Sequence, residues 1–441
     1  MNRYFIVLLF VMYCNSVFSQ QNKDGNGLTL EEVWTATDSN NKKLKMAGFS
    51  RQQAEVAVEV AKDRRIPSVT ALGNVGVNTD LPVYNNGFLA SHDNFPVSRY
   101  TYSLGYQMEL NVYSGGRENI NIKISKEELL RNKNEYELQR NNIRYAAAVA
   151  YYDLHKFIQF LRFTTSEIVT EKKQMATIES LFKNGTVLKS DVLRVNVKLS
   201  QLELARSDIE KKISIAKERL NILMGRNSSE EISIPMEEAI DVEAFTENPD
   251  DNHYVDMALK QSPDFKMYEN EYEISNLLLK QVKSELMPKV SLYSGYNLTY
   301  PQSSFFPYST NLWGFGQTGV RVSFSLDKLY TNRHAAEQAR FQTLQQEKKM
   351  EVMKDDLTIE IKEAYLQKMQ AFETVRTAEE NIRQATETVR IIRNSYMNQE
   401  SLLTDLLEAE NMLLEAKFAL TSAHIDVVIS HIRLLVKTGI I

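Results

Sequence analysis

The chain has 441 residues, of which 43% are hydrophobic and 25% charged, and its formal net charge is −5. An acidic balance argues against nucleic acid as the natural partner, because proteins that bind nucleic acid carry basic patches. The length would allow two or three ordinary domains, so it does not decide the architecture.

Residues 1–19 are typical of an export signal. Arg3 precedes the apolar run YFIVLLFVMY, and Val17 and Ser19 satisfy the small-residue rule for cleavage before Gln20. We therefore expect an exported protein from which this segment is removed.

The chain has one cysteine, Cys14, which lies inside the predicted signal. Without it, the mature protein has neither a disulfide framework nor a thiol nucleophile. Lipid attachment to Cys14 is the alternative, but Tyr13 occupies a position where a small residue would be wanted.

Two segments of the first half alternate between apolar and polar residues. Alternation is strict over residues 100–112, and tyrosines crowd one end of that segment. A period of two residues is typical of an amphipathic β-strand. Residues 69–78 are a less regular version, and a loop rich in Pro, Asn and Gly at about 80–98 joins the two strands.

Glycine and proline are absent between Arg117 and Asn184, and again between Val320 and Thr438. Both stretches are rich in Glu, Lys, Gln, Leu and Ala with spaced apolar residues, which indicates helices packed along a seam. A helix from Arg117 to Asn184 would be about 100 Å long. We therefore expect an elongated helical bundle or coiled coil, because globular domains contain much shorter helices.

The second half contains two further strand patterns, at 290–300 and 320–326. No segment beyond the signal offers the roughly eighteen uncharged apolar residues of a membrane-spanning helix. An α-helical membrane protein is therefore not favoured.

The two halves match one another in sequence order. FKNGTVLKSDVL (182–193) matches YMNQESLLTDLL (396–407), and each half has a proline directly before its first strand. Each half therefore reads helix, strand, strand, long helix, tight turn, helix. The predicted parts are a first repeat over 20–225, a polar linker over 226–250 and a second repeat over 251–441.

Four amphipathic strands on an exported protein are typical of the wall of a membrane barrel. Four strands cannot close around a lumen, and open sheet edges cannot lie in lipid. Several copies must therefore share one barrel, and the helices that follow the strands would continue its wall as a tube.

The ordered set of motifs resembles the TolC family of outer-membrane efflux proteins. The resemblance rests on SGGR (114–117), on the two turn sequences, on the closing VVISHIRLLVKTG (427–439) and on the duplicated plan. It covers nearly the whole mature chain.

This resemblance implies a mixed, mainly α fold: a long antiparallel α-helical coiled-coil barrel that continues a shared transmembrane β-barrel. Three protomers would form a homotrimer with four strands each, embedded in outer-membrane lipid and extending into the periplasm. Such ducts dock with a periplasmic adaptor and an inner-membrane pump, in tripartite efflux or type I secretion, and conduct substrates passively.

The second turn is unusually acidic. Between Asn394 and Ala416 the chain carries five acidic residues and neither Lys nor Arg. Asp405 and Glu408 fall at the positions where members of the TolC family have acidic rings that line the periplasmic aperture. Three copies of each carboxylate would attract cations and slow anions. The alternative is that they are exposed carboxylates near a helix start, favoured by the helix dipole.

Tyr396 falls where the resembled family has a tyrosine that bonds to an aspartate on the neighbouring turn, and Asp191 stands at that partner's position. This contact would help to hold the end shut. Alternatively, Tyr396 is an ordinary packing aromatic, equivalent to Phe182 in the first repeat. Members of the TolC family have a second contact that holds the end shut, and it uses an arginine at the position of Ser401. We therefore expect this second contact to be missing or replaced in this chain.

Aromatic residues near the strand ends are candidates for a girdle at the membrane surface. Phe305, Phe306 and Trp313 belong to the same region, but packing within extracellular loops is the favoured interpretation for these three. The predicted girdle consists of Tyr100, Tyr102, Tyr106, Tyr296 and Tyr300.

The sequence does not favour an enzyme or a cofactor. The six histidines have no metal-ligand spacing, and no phosphate-binding glycine loop or nucleophile elbow is present in the sequence. A non-conducting structural coiled-coil protein of the envelope is the alternative to a duct. The alternating strands distinguish the two, because a rod has no use for them.

Overall fold

The computed structural model describes residues 27–95, 97–235, 245, 250–302 and 309–441. The predicted signal at 1–19 lies outside the described residues, as do Phe305 and Phe306.

The described residues of the first half contain four helices and four strands. In chain order these are α1 (Leu30–Asn40), α2 (Lys42–Asp63), β1 (Ser68–Val77), β2 (Leu81–Val83), β3 (Asp93–Phe95), β4 (Tyr100–Ser114), α3 (Arg117–Lys183) and α4 (Lys189–Leu223).

In the part of the second half that the structure describes, four helices and two strands follow. They are α5 (Asp251–Gln261), α6 (Pro263–Ser284), β5 (Lys289–Tyr300), β6 (Trp313–Ser323), α7 (Lys328–Met397) and α8 (Leu403–Thr438).

The four main strands form one antiparallel sheet in the order β1-β4-β5-β6. Its register places Tyr102 opposite Tyr300 and Tyr106 opposite Tyr296, so these four predicted girdle residues form two cross-strand pairs on one face. The rings of Tyr102 and Tyr300 stack with their centroids 4.8 Å apart. Large apolar side chains of this face, such as Val75 and Val320, are exposed in the single chain.

Two strand predictions differ from the structure. The loop expected at about 80–98 contains the short hairpin β2–β3, which its Pro and Asn content concealed. Strand β6 runs from Trp313 to Ser323, so it begins before the predicted strand at 320–326, and Trp313, expected in a loop, is its first residue. Phe324 and Leu326 of the predicted strand lie beyond its end and are exposed.

The predicted long helices are present as α3, with 67 residues, and α7, with 70 residues. Helix α3 is therefore about 100 Å long at about 1.5 Å per residue. It pairs with α4 to form a first hairpin, and α7 pairs with α8 to form a second. Because Ala residues recur on the buried faces, among them Ala147, Ala364 and Ala378, the helices can pack along their length.

Helix α8 is long and apolar enough, by length and composition, to cross a membrane. The sequence expectation concerned uncharged apolar residues, and α8 carries charged residues along its length, among them Asp426 and Arg433. In the structure α8 instead packs against α7 and against α3 of the first hairpin.

The connection from β4 into α3 depends on two glycines. Gly115 and Gly116 have φ angles of 64° and 79°, which residues with a side chain rarely adopt. A Cβ atom on Gly115 would also lie 2.7 Å from the carbonyl oxygen of Ser284. The motif SGGR thus lets the strand turn directly into the helix beside the end of α6.

Candidate functional site

The two hairpins end in turns of the same construction. The N–H of Gly185 donates to the carbonyl of Phe182, and the N–H of Gln399 donates to that of Tyr396, both at 2.9 Å. A second bond, which spans more of the chain, closes each turn: the N–H of Thr186 donates to the carbonyl of Leu181, and the N–H of Glu400 to that of Ser395. This pair of bonds is the Schellman arrangement, which needs a left-handed residue after the helix.

That left-handed residue differs between the turns. Gly185 has φ 77° and Gln399 has φ 66°, and Gln399 is the one residue other than glycine with positive φ among those the structure describes. A residue with a Cβ atom is strained in this conformation by roughly 1–2 kcal/mol. The second turn therefore stores strain that the first avoids.

Asp191 and Asp405 occupy equivalent positions at the starts of α4 and α8. Each carboxylate accepts a hydrogen bond at 3.1 Å, from the backbone N–H of Leu188 and Leu402 respectively. Asp405 is exposed, and Glu408 is exposed one turn further along α8. The structure thus gives Asp405 the helix-start role, while its place in an aperture stays a prediction.

Tyr396 packs against the apolar cluster of Ile178, Val195 and Leu403, which joins α3, α4 and α8 at the turns. Its hydroxyl is buried without a hydrogen-bond partner among the described residues. Burial, and secondarily the charge of Asp191, raise the pKa of the Tyr396 hydroxyl. Asp191 is therefore close enough for its charge to act on the Tyr396 hydroxyl, while the ring packs as a core aromatic.

Ser401 occupies the position at which the resemblance to the TolC family implied an arginine contact. Its hydroxyl donates to the carbonyl of Ile392 at 3.4 Å. In this chain the position therefore closes the turn locally through a neutral contact.

Deeper in the bundle the structure brings together carboxylates that the sequence analysis did not single out as a site. Glu167 and Glu171 lie on α3 and Glu410 on α8, with one carboxylate oxygen of each within 4.8 Å of the others. Glu171 is fully buried and Glu410 is 3% exposed. Both oxygens of Glu171 and Oε2 of Glu410 are without hydrogen-bond partners among the described residues.

Two basic residues from the other helices face this carboxylate cluster of Glu167, Glu171 and Glu410. Arg393 of α7 donates to Oε1 of Glu410 at 2.8 Å, and buried Lys198 of α4 lies close enough to affect all three carboxylates. The acidic stretch that starts at Asn394 is thus not without a basic partner. Its counter-charge, Arg393, stands one residue before it and the α7–α8 turn brings the two together.

The environment of the carboxylate cluster favours a proton. Burial first, and then the charge of Glu410, raise the pKa of Glu171 to about 7. Burial likewise raises the pKa of Glu167 and lowers that of Lys198. Two carboxylates within 4.8 Å of each other repel by at least about 3 kcal/mol at an effective dielectric constant of about 20, so full ionisation is costly.

A sequence signal for this cluster does exist. Glu171 lies at helical spacing between buried Ile168 and Ile178, and Lys198 between Val195 and Leu202. Both charges therefore replace apolar residues on a packed seam, where a charge needs a partner. The signal does not show which seam residues meet, because they come from different helices.

Comparison with known families gives a match over most of the chain. The sequence profile described as outer membrane efflux protein matches residues 35–226 and 254–439. Comparison with curated proteins gives no match.

Solved structures share the fold. The outer-membrane channel OprN superposes with a TM-score of 0.77 at 17% identity, covering 93% of this chain and 89% of that one. For VceC of Vibrio cholerae the TM-score is 0.75 at 16% identity, with 93% and 96% covered. For CmeC of Campylobacter jejuni it is 0.74 at 14% identity, with 96% and 90% covered.

Strain at Gln399 predicts a stabilising substitution. Replacing Gln399 by Gly should raise the free energy of unfolding by about 1 kcal/mol, because glycine adopts positive φ without a Cβ penalty. Replacing Gly185 by Gln, at the matched position, should lower it by a similar amount. Chemical or thermal unfolding of the purified variants measures both, and equal effects of the same sign would contradict the strain.

The buried ion pair predicts a destabilising substitution. Arg393→Met should lower the free energy of unfolding by about 1–3 kcal/mol, because it leaves Glu410 buried without its donor. Arg390→Met is the matched control: its partner Glu387 is about half exposed, so the loss should be much smaller than for Arg393→Met. Equal losses in the two variants would show that the Arg393 pair contributes nothing special.

Proposed function

The chain belongs to the outer membrane efflux protein family, and on that premise we propose that it is the outer-membrane exit duct of a tripartite efflux pump or type I secretion system. The observation that carries this proposal is the sheet. Its apolar face is exposed, β1 and β6 are edge strands, and helices continue directly from it.

The sheet requires copies of itself. Unpaired edge strands cannot lie in lipid, because their N–H and C=O groups would lack partners. Pairing β6 of one protomer with β1 of the next satisfies both edges, and a homotrimer would form a twelve-stranded barrel. The apolar face would then meet outer-membrane lipid.

Aromatic pairs support this orientation. Tyr100, Tyr102 and Tyr300 lie toward the loop end of the sheet, whereas Tyr106 and Tyr296 lie about 13 Å further along the strands, at about 3.3 Å per residue. The first group would form the girdle at the outer surface. The second pair would lie within the apolar band.

The helices also present surfaces that need neighbours. Leu204 of α4 is 72% exposed, and Leu366 of α7 is 64% exposed. Apolar side chains of this size recur along both helices. Packing α4 and α7 against adjacent protomers would cover them and close a helical tube across the periplasm.

In such a tube the turns of α3–α4 and α7–α8 form the periplasmic end, where a periplasmic adaptor and an inner-membrane pump would dock. Asp405 and Glu408 would form an acidic ring at the aperture. Tyr396 would contact Asp191 and help to hold the end shut. A non-conducting structural rod is less well supported, because it would leave the sheet without a role.

Conductance in planar bilayers tests the duct. The purified protein should insert and conduct, with cation selectivity that falls when Asp405→Asn and Glu408→Gln are combined, because the ring charge is removed. Arg194→Gln is the control, since Arg194 holds the position of Glu408 in the first turn. A trimer that inserts but never conducts would contradict the proposal, and unchanged selectivity would remove these two carboxylates from the aperture.

Tyr396→Phe separates gating from packing. The Tyr396 hydroxyl has no hydrogen-bond partner among the described residues, so its loss should leave thermal stability unchanged. If the assembled duct uses the contact with Asp191, basal conductance should rise. Unchanged conductance would leave Tyr396 as a packing residue.

A further inference from the structure

The two hairpins meet along α3 and α8 in successive layers. Val428 and Ile432 of α8 pack with Ala148 of α3 at the upper end of the contact. Phe160 and Phe418 then stack with their ring centroids 4.2 Å apart.

The lower layers continue toward the turns. The carboxylate cluster follows the aromatic stack, and the apolar cluster of Ile178, Val195 and Leu403 lies below it. Glu171 and Glu410 are buried between these apolar layers, whereas Glu167 is half-buried. A change of charge there therefore acts directly on the contact between the hairpins.

When Glu171 and the charged residues around it are all ionised, their charges sum to one net negative charge. Every helix packed at this site carries at least one of these charged residues. Helix α3 carries Glu167, α4 carries Lys198, α7 carries Arg393, and α8 carries Glu410, Glu415 and Lys417. Counting Glu171, four carboxylates face three cations. One proton would make the group neutral.

The unpartnered oxygens show where that proton would lie. Arg393 occupies Oε1 of Glu410, while Oε2 and both oxygens of Glu171 accept from no donor among the described residues. We propose that Glu171 and Glu410 share one proton across the contact between the two hairpins, and that loss of this proton separates the hairpins near their turns.

Three converging carboxylates are also compatible with a divalent cation. Charge favours the proton, because a divalent ion would leave the group with an excess positive charge beside Arg393 and Lys198, between apolar layers. The two possibilities differ in what restores the contact at high pH.

The direction of the pH effect follows from the protonation of Glu171. Its pKa is raised from 4.5 to about 7 in the folded chain. The stabilisation is therefore fully present below about pH 4.5 and is lost as the pH rises through about 7. Alkaline conditions should loosen the turn end, and acidic conditions should tighten it.

Glu171→Gln tests the proposal because it is a neutral isostere. Between about pH 5 and about pH 8.5, the midpoint of thermal unfolding of the purified full-length protein should fall by several degrees, beyond any fall in Glu171→Gln. Glu179→Gln, an exposed carboxylate on the same helix, should behave like the unsubstituted protein. An equal pH dependence with and without Glu171→Gln would overturn the proposal.

Spin labels report the separation directly. Lys173→Cys and Met412→Cys place labels on exposed positions of α3 and α8 beside the carboxylate cluster. The distance between them should lengthen at alkaline pH, and Glu171→Gln should abolish this change. An unchanged distance in the protein that carries Glu171 would overturn the separation of the hairpins.

Adding Ca²⁺ or Mn²⁺ at alkaline pH, and measuring the spin-label distance again, distinguishes a shared proton from a shared metal ion. If either ion restores the short distance, and does so only when Glu171 is present, the shared ion is a metal and the proton proposal is wrong. No effect of the ions supports the proton.

A rise in bilayer conductance with pH is expected as well, but it rests on the proposed duct. The spin-label result does not depend on conduction. Failure of the duct and failure of the proton contact are therefore distinguishable.

Discussion

A β-sheet with two free edges and an exposed apolar face is the constraint on which the rest of the structure depends. Within the described part of the chain, β1 and β6 each lack a neighbouring strand on one side, and no helix packs against that apolar face. The same chain leaves apolar side chains exposed along α4 and α7. Apolar surface is therefore uncovered at both ends of the single chain, which supports the proposed assembly with further copies.

Within one chain, the helices depend on continuous seams. A helix of about 100 Å gains little from its ends, so each turn must contribute packing along the seam. Ala, Val and Leu do so over most of the contact. Glu171, Lys198 and Glu410 interrupt the seams at buried positions. There the side chains contribute charge interactions in place of hydrophobic stabilisation, and these interactions depend on protonation.

Much of the fold could be predicted from local pattern. Strict alternation at β4 and the absence of Gly and Pro from α3 each indicate one structure whatever the rest of the chain does. The β2–β3 hairpin could not be predicted, because its short strands lie in a segment dominated by turn residues. The carboxylate cluster could not be assembled either: Glu171 and Glu410 are far apart in sequence, and their meeting depends on how two hairpins pack. The sequence repeat pairs Asp191 with Asp405, and the structure adds that each carboxylate accepts a backbone hydrogen bond at a helix start.

Two features that lower stability lie at the same end of the molecule. Gln399 holds the second turn in a left-handed conformation, and the carboxylate cluster lies between apolar layers only a few helical turns away. The first turn avoids the strain with Gly185, so the second hairpin is the less stable one near its tip. Stability in proteins is locally uneven, and segments that move are drawn from its low end. Because Gln399 and Glu410 belong to the same hairpin, strain and charge would act together on the α7–α8 tip, while the aromatic stack of Phe160 and Phe418 would keep the upper contact closed.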